Sequence, residues 1–492
     1  MKLLPRRRIL RLAIYIVSFA LVVIAGDLVL VEVRRQIHPG YGTTRLIAPV
    51  LPDGRIDYLT AMDDMASDGI TPQNNAAVLI LQALGRKGLA SNQPENGVTN
   101  RLGMSPLPQN GDYFVTYDDY CTAHSITNTN DPAFEVPTAF PLKLPPSAAD
   151  YLKINQKPLD LIIEASGRPR FFIPFYAGYR VETVADVLLP HLGLIRQANQ
   201  ALVMRALIDL DAADFAGFRD NLLAAHRLAR LISNQRTYID RLLACHFEST
   251  ACEAARTALA GGKLTADQIR ALAADYAGLS DLPRLDPAID NERVFGLDIM
   301  QAMAHAPYFR SGEIANSVIS RDFLPPAIVA FLPIPYEGSM RTINRMADGN
   351  LAALQQPTYA KQVDALQRFY EDTRAQAGNE IVSLVTPNFP IPFVSLNLTK
   401  ILGSYDRARM ELTLTRTAMA LAQYNADHHA YPATLAELDP TYLPAVPEDI
   451  FTDHPPIYAP KGDGYTLYSV GPNMIDDGGI RDKTDDLVAS LP

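Results

Sequence analysis

The chain has no tryptophan, only three cysteines among 492 residues, and no basic stripe beyond its first dozen positions. With a formal charge of −10 and no Lys/Arg-rich face, it lacks the electrostatic footprint of a nucleic-acid binder. Cys245 and Cys252 lie seven apart in helical sequence. Two helical turns separate them by about 10.5 Å, beyond the reach of a disulfide, so they read as small buried hydrophobes. Cys121 stands in polar sequence that reads as loop and has no evident partner. No G-x-S-x-G, H-E-x-x-H, P-loop or C-x-x-C pattern occurs. His428 and His429 follow Asp427, but neighbours on a helix point about 100° apart and do not share an ion. His226 and His246 sit among apolar neighbours and read as packed. No reaction can be read from this sequence.

What is present gives a location and an architecture. Nearly half the residues are apolar (48%) and a fifth are charged, so a chain of this length can fold into two or three cores. Lys2, Arg6, Arg7, Arg8 and Arg11 precede an uncharged run from Leu12 to Gly26, and apolar character resumes from Leu28 to Val31. That is about the 20 residues a membrane-spanning helix needs. The expectation is a single-pass anchor through residues 9–31, with its basic end cytoplasmic and the bulk outside the inner membrane. The alternative is an export signal cut near Ala25, with Arg6-Arg7-Arg8 as a loose twin-arginine pattern. The apolar run continuing past Ala25 favours the anchor.

The patterning divides the chain into four segments. Residues 1–35 hold the basic end and anchor. Residues 36–150 are rich in Pro, Gly, Asn and Asp, with one clear helix near Pro72–Leu84, and read as a loop-rich region packed on the helical body. Residues 151–404 form that body and read as an α-helical bundle or short solenoid. Its signals include Ser147 as an N-cap, a kink at Pro190, a stop at Gly261-Gly262 and a capping box of Thr265 with Gln268. Two apolar, proline-rich stretches, Phe323–Tyr336 and Ile381–Thr399, read as buried loop or as surfaces touching a membrane or partner.

Residues 405–492 change character. A helix with apolar contacts at Met410, Leu414, Ala418, Leu421 and Tyr424 ends near His429, before Pro432. Thr434 and Glu437 form a second capping box. Strands are expected at Ile457–Ala459 and Tyr465–Val470, joined by the turn Lys461-Gly462-Asp463-Gly464. An acidic, glycine-bearing segment closes the chain.

Tyr424, Asp427, Tyr431 and Pro432, then Pro447 with Asp449, then Ser469 with Gly471, fit the Y-x-x-D-x-G-x-Y-P, P-x-D and S-x-G motifs of one family. Over residues 405–492 the chain resembles the C-terminal domain of the type II secretion major pseudopilin. The resemblance implies a small α+β domain with a helix on an antiparallel sheet and a calcium ion in the last loop. Its ligands would come from the Val470 carbonyl, Asn473, Asp476 or Asp477, and Asp485 or Asp486, with Gly478-Gly479 folding the loop back. Calcium takes six to eight oxygens, and the competing reading of these aspartates is a solvated tail. His429 replaces the family's glycine and Asn473 replaces an acid. The N-terminus has no prepilin junction, so processing and polymerisation are not carried over. The remainder is similar to uncharacterised membrane-anchored bacterial proteins. The expectation is a mainly α envelope protein with a binding or scaffolding role among other envelope proteins. The alternative is an envelope hydrolase with its site between the helical body and residues 36–150.

Overall fold

The computed structural model describes residue 33 and residues 36–491, apart from 92–93, 127–135, 176–182, 188, 236, 306–333, 378–385, 389–397 and 481–484. The described chain is mainly helical with one small sheet, as the sequence implied. The expected anchor at residues 9–31 lies outside the described residues, as do most of the two proline-rich stretches. Among the described helices none is long and apolar enough to cross a membrane.

Residues 36–150 are less irregular than their composition implied. They contain α1 (Tyr58–Ser67), α2 (Ala76–Leu84), α3 (Glu95–Arg101) and α4 (Tyr117–Ala123). Each is short, and side-chain caps supply what propensity does not: Asp57, Asn75 and Thr116 accept from the first backbone N–H groups of α1, α2 and α4. Cys121 is buried on α4 rather than in a loop. The buried Asn75 also accepts from Phe172 N–H at 2.9 Å and donates to its carbonyl at 2.9 Å. One side chain thus caps α2 and fixes it to the body.

The body begins with α5 (Ser147–Ile154) and α6 (Gln156–Ser166), the latter packed on α2. Ser147 is the first helical residue, and Pro146 precedes it as cap. Next come α7 (Pro190–Asp211), α8 (Phe215–Ser233), α9 (Tyr238–Ala260) and α10 (Ala266–Gly278). Pro190 opens α7 instead of kinking it. Proline has no N–H to lose at a first-turn position and its φ already suits the helix, so the same residue that reads as a kink serves as a start. Short turns fold α7, α8 and α9 back on one another. Ala225 on α8 meets Ala251, Ala254, Ala255 and Ala258 on α9 in one core, where small side chains allow close approach. The Thr265–Gln268 capping box opens α10 as expected.

Then α11 (Asp286–His305) packs on α12 (Tyr336–Leu354), followed by α13 (Tyr359–Ala377) and the 31-residue α14 (Leu398–His428). The segment break expected after residue 404 falls inside α14. One face of that helix, Tyr405, Ala408, Leu412 and Met419, enters the cores of the body. Another face, Met410, Leu414, Ala418 and Leu421, enters the core of the C-terminal sheet. Arg416 donates to the carbonyls of Tyr276 (3.1 Å) and Leu279 (2.7 Å), covering the end of α10.

The sheet has the order β1 (Ile457–Lys461), β2 (Gly464–Ser469), β3 (Leu487–Val488), all antiparallel. Lys461 pairs with Gly464 across a turn in which Gly462 has φ 57°, the left-handed conformation a tight hairpin requires. His429, standing where the resembling family has glycine, also has φ 57° as it leaves α14. The backbone keeps the helix-ending geometry at the expense of some strain in an L-residue.

Candidate functional site: a groove at the start of the long helix

The residues that carried the family resemblance converge. Asp449 is buried and accepts hydrogen bonds from Phe451 N–H at 2.9 Å, from Ser469 and from Val470 N–H. Burial raises its pKa, and these bonds oppose the rise. The P-x-D and S-x-G segments are therefore joined through one carboxylate. Gly471 has φ 70°, and a Cβ there would lie 2.1 Å from the Asp485 carbonyl oxygen. The Tyr431 ring lies 5.0 Å from that of Tyr465, and Tyr458 donates to the Pro432 carbonyl at 2.7 Å.

The aspartates divide. Asp486 is buried and accepts from Gly479 N–H at 2.7 Å and Asp477 N–H at 3.4 Å. Asn473 Nδ2 donates to Asp477 at 3.4 Å, while its own Oδ1 accepts from Ile475 N–H at 2.9 Å. Asn473 and Asp477 therefore meet through their side chains, while the Asp486 carboxylate meets the backbone of the same loop. Asp476 is drawn away: it accepts from the Tyr468 hydroxyl and from Gly478 N–H, both at 2.9 Å. Asp485 is exposed and faces Arg407 at 3.6 Å. Val470 is buried, with its N–H on Asp449. Asn473, Asp477 and Asp486 thus lie in one loop, with fewer side-chain oxygens than the six to eight that calcium takes.

Asn473 and Asp485 instead border a groove of about 600 Å³ between α12, α13, the first turns of α14 and the C-terminal loop. This is the size range of small-molecule sites. The periodicity of α13 places one wall: Tyr359, Val363 and Leu366 recur every three or four residues and are buried, and Tyr359 and Leu366 border the groove. Gly349 on α12 faces Phe369, whose ring atoms would lie 2.2 Å from an added Cβ, so the two helices approach closely there. On α14, Gly403 keeps the floor open, since a Cβ would contact Tyr359 Oη at 3.4 Å and Pro472 Cβ at 3.5 Å. Tyr359 stands edge-on to Phe451, with centroids 4.7 Å apart. Burial, with Asp406 nearby, pushes its phenol up to about 12, so it stays a neutral donor.

The groove is apolar along Met346, Leu366, Phe369 and Leu398 and polar at its rim. Lys400 and Arg407 are its two cations. Arg407 is partly matched by Asp485, whereas Lys400 is exposed and forms no ion pair with any described residue. None of the groove residues on α12 and α13 stands out in the sequence by itself. The 359-363-366-370 spacing is the available signal for α13.

A second cluster is polar and fully enclosed. Glu248 on α9 lies 3.0 Å from His226 Nδ1 on α8, and His226 Nε2 lies 2.6 Å from the Tyr276 hydroxyl on α10. Arg230 Nη2 donates to Glu248 Oε1 at 3.1 Å, and its Nη1 donates to Oε2. Both ring nitrogens of His226 are therefore engaged, Nδ1 by the Glu248 carboxylate and Nε2 by the Tyr276 hydroxyl. Burial raises the Glu248 pKa, but His226 and Arg230 outweigh it and hold the carboxyl at about 2. Cys252 completes a trio of donor atoms lying within 4.8 Å of one another. A metal does not fit this trio. Arg230 already occupies both carboxylate oxygens, both imidazole nitrogens are engaged, and burial pushes the Cys252 thiol far up, against the thiolate a metal needs.

Between residues 88–98 and the body, His191, Gln235 and Asp240 border a cavity of about 30 Å³, room for one water. Asp240 is committed there to the capping box of Thr237.

No family model, no curated protein and no solved structure matches this chain.

Proposed function

We propose that this is a membrane-anchored, extracytoplasmic envelope protein that binds a small molecule in the groove formed by α12, α13, α14 and the C-terminal loop. The observation that carries the reading is the groove itself. It is large and mainly apolar, and it holds two cations, one carboxylate and no histidine among its described residues. Such a lining recognises a ligand, whereas acid–base catalysis asks for converging titratable groups near the reacting atoms. The anchor rests on the charge and apolar pattern of residues 2–31.

The pseudopilin-like reading of the C-terminal end is part of the proposal. It is supported by a helix on a small antiparallel sheet, by the joined P-x-D and S-x-G segments, and by the left-handed backbone at His429. Calcium belongs to it only through Asn473, Asp477 and Asp486. Millimolar calcium should then raise the melting temperature of the wild type but not of Asp486→Asn, and an equal rise in both would remove the ion from this loop.

Full-length protein purified from its own membranes should carry a small molecule, read by native mass spectrometry as mass above the bare chain. Ser404→Trp, which places an indole in the groove, should reduce the occupied fraction about fivefold or more. A bare chain in the wild type, or equal excess mass in both, overturns the proposal. So does recovery of the whole chain in the soluble fraction.

A further inference from the structure

The lining of the groove goes further than binding, and on that reading we infer a ligand class: a single acyl chain ending in an anionic head. An apolar trough of about 600 Å³ bounded by Met346, Leu366, Phe369 and Leu398 accepts one hydrocarbon chain better than two. Transfer of methylenes from water to such a surface is the driving term. It is indifferent to the head group, so specificity must come from the rim.

The rim is electrostatically lopsided. The chain as a whole carries −10, which repels anions at long range. Yet the α14 side of the groove presents Lys400 and Arg407 seven residues apart, two turns along one face. Asp485 matches only Arg407, at 3.6 Å, so one positive charge is left over, at Lys400. The rim also has neutral hydrogen-bonding side chains, among them Thr399 and Ser404 on the same helix. An ammonium beside an apolar trough is costly to cover with a neutral chain and favourable to cover with a carboxylate or phosphate. Charge complementarity therefore selects the anionic amphiphile among apolar ligands.

The test uses full-length protein in its membranes and three photoreactive alkyl diazirines of equal chain length, bearing a carboxylate, an alcohol or a primary amine. Labelled peptides are mapped by mass spectrometry. The carboxylate should label residues 346–373 and 398–407 roughly five- to tenfold more than the amine, and Lys400→Glu should erase or invert that preference. Lys400 has an exposed side chain without an ion pair, so this variant should fold as the wild type does. Equal groove labelling by all three probes, unchanged in Lys400→Glu, overturns the anionic head and leaves the binding role standing. Labelling of these peptides no greater than that of surface helices such as α10 removes the acyl chain and the groove together, and with them the proposed function.

Discussion

Glu248→Ala should destabilise the folded chain by roughly 3–5 kcal/mol, the usual cost of removing one partner from a buried ion pair. The variant leaves Arg230 nearly enclosed without its counter-ion and His226 without the acceptor at Nδ1. It also opens a space where α8, α9 and α10 meet. Glu248→Gln keeps the shape and some of the hydrogen bonds and should fall between the two. Urea unfolding followed by far-UV circular dichroism measures both. An alanine variant as stable as the wild type would mean the cluster does not hold the three helices together.

The same carboxylate sets an acid limit. Its folded pKa of about 2 lies below the ordinary 4.5, so the folded state binds its proton less readily than the unfolded state does. The contribution is complete above pH 4.5 and is lost as the pH falls from there toward 2. A shift of that size corresponds to about 3 kcal/mol. Stability plotted against pH should drop across this window in the wild type and more shallowly in Glu248→Gln.

Ending the chain at residue 404 should abolish cooperative unfolding of the helical body. The change of sequence character at Tyr405 invites a division there, but Tyr405, Ala408, Leu412 and Met419 enter the cores of the body, and α14 packs along α9 and α10. Burying a Leu or Met side chain contributes about 1.5–3 kcal/mol. Leu412 and Met419 are two such positions, and with the Tyr405 ring and Arg416 on the end of α10 their loss reaches the lower part of the roughly 5–15 kcal/mol by which a domain is stable at all. A sharp thermal transition in the shortened chain, with helical signal preserved, would instead place a true boundary at 404. Limited proteolysis gives the same answer independently, because a body lacking α14 should be cut within α9 and α10.

What could be read from the sequence was what short-range chemistry decides. Thr265 with Gln268 and Thr434 with Glu437 form their capping boxes because the partners are three residues apart. The hairpin at Gly462 forms because two residues determine its turn. Pro190 marks a helix feature at the right place but of the wrong kind, since proline gives the same local signal at a kink and at a first turn. The helices of residues 36–150 are held by capping side chains and by burial, neither of which leaves a long apolar period. The groove was hidden for another reason: its walls come from residues 346–373, 398–407, 472–473 and 485, and only packing brings them together. Of the aspartates, the sequence showed the supply of oxygens. Whether those oxygens face an ion or a backbone N–H is fixed by loop geometry, which gave Asp486 to Gly479 and Asp476 to Tyr468.

A helix committed on two faces cannot change length. One residue inserted near the middle of α14 would turn everything beyond it by about 100°. Met419 would then leave the body, or Leu421 would leave the sheet, and no local adjustment restores both. Substitution at the buried positions of α14 is limited mainly by volume, while insertion and deletion near its middle are strongly disfavoured. In related chains the spacing from Lys400 to His428 should therefore be constant, and variation in length should collect in the loops on either side.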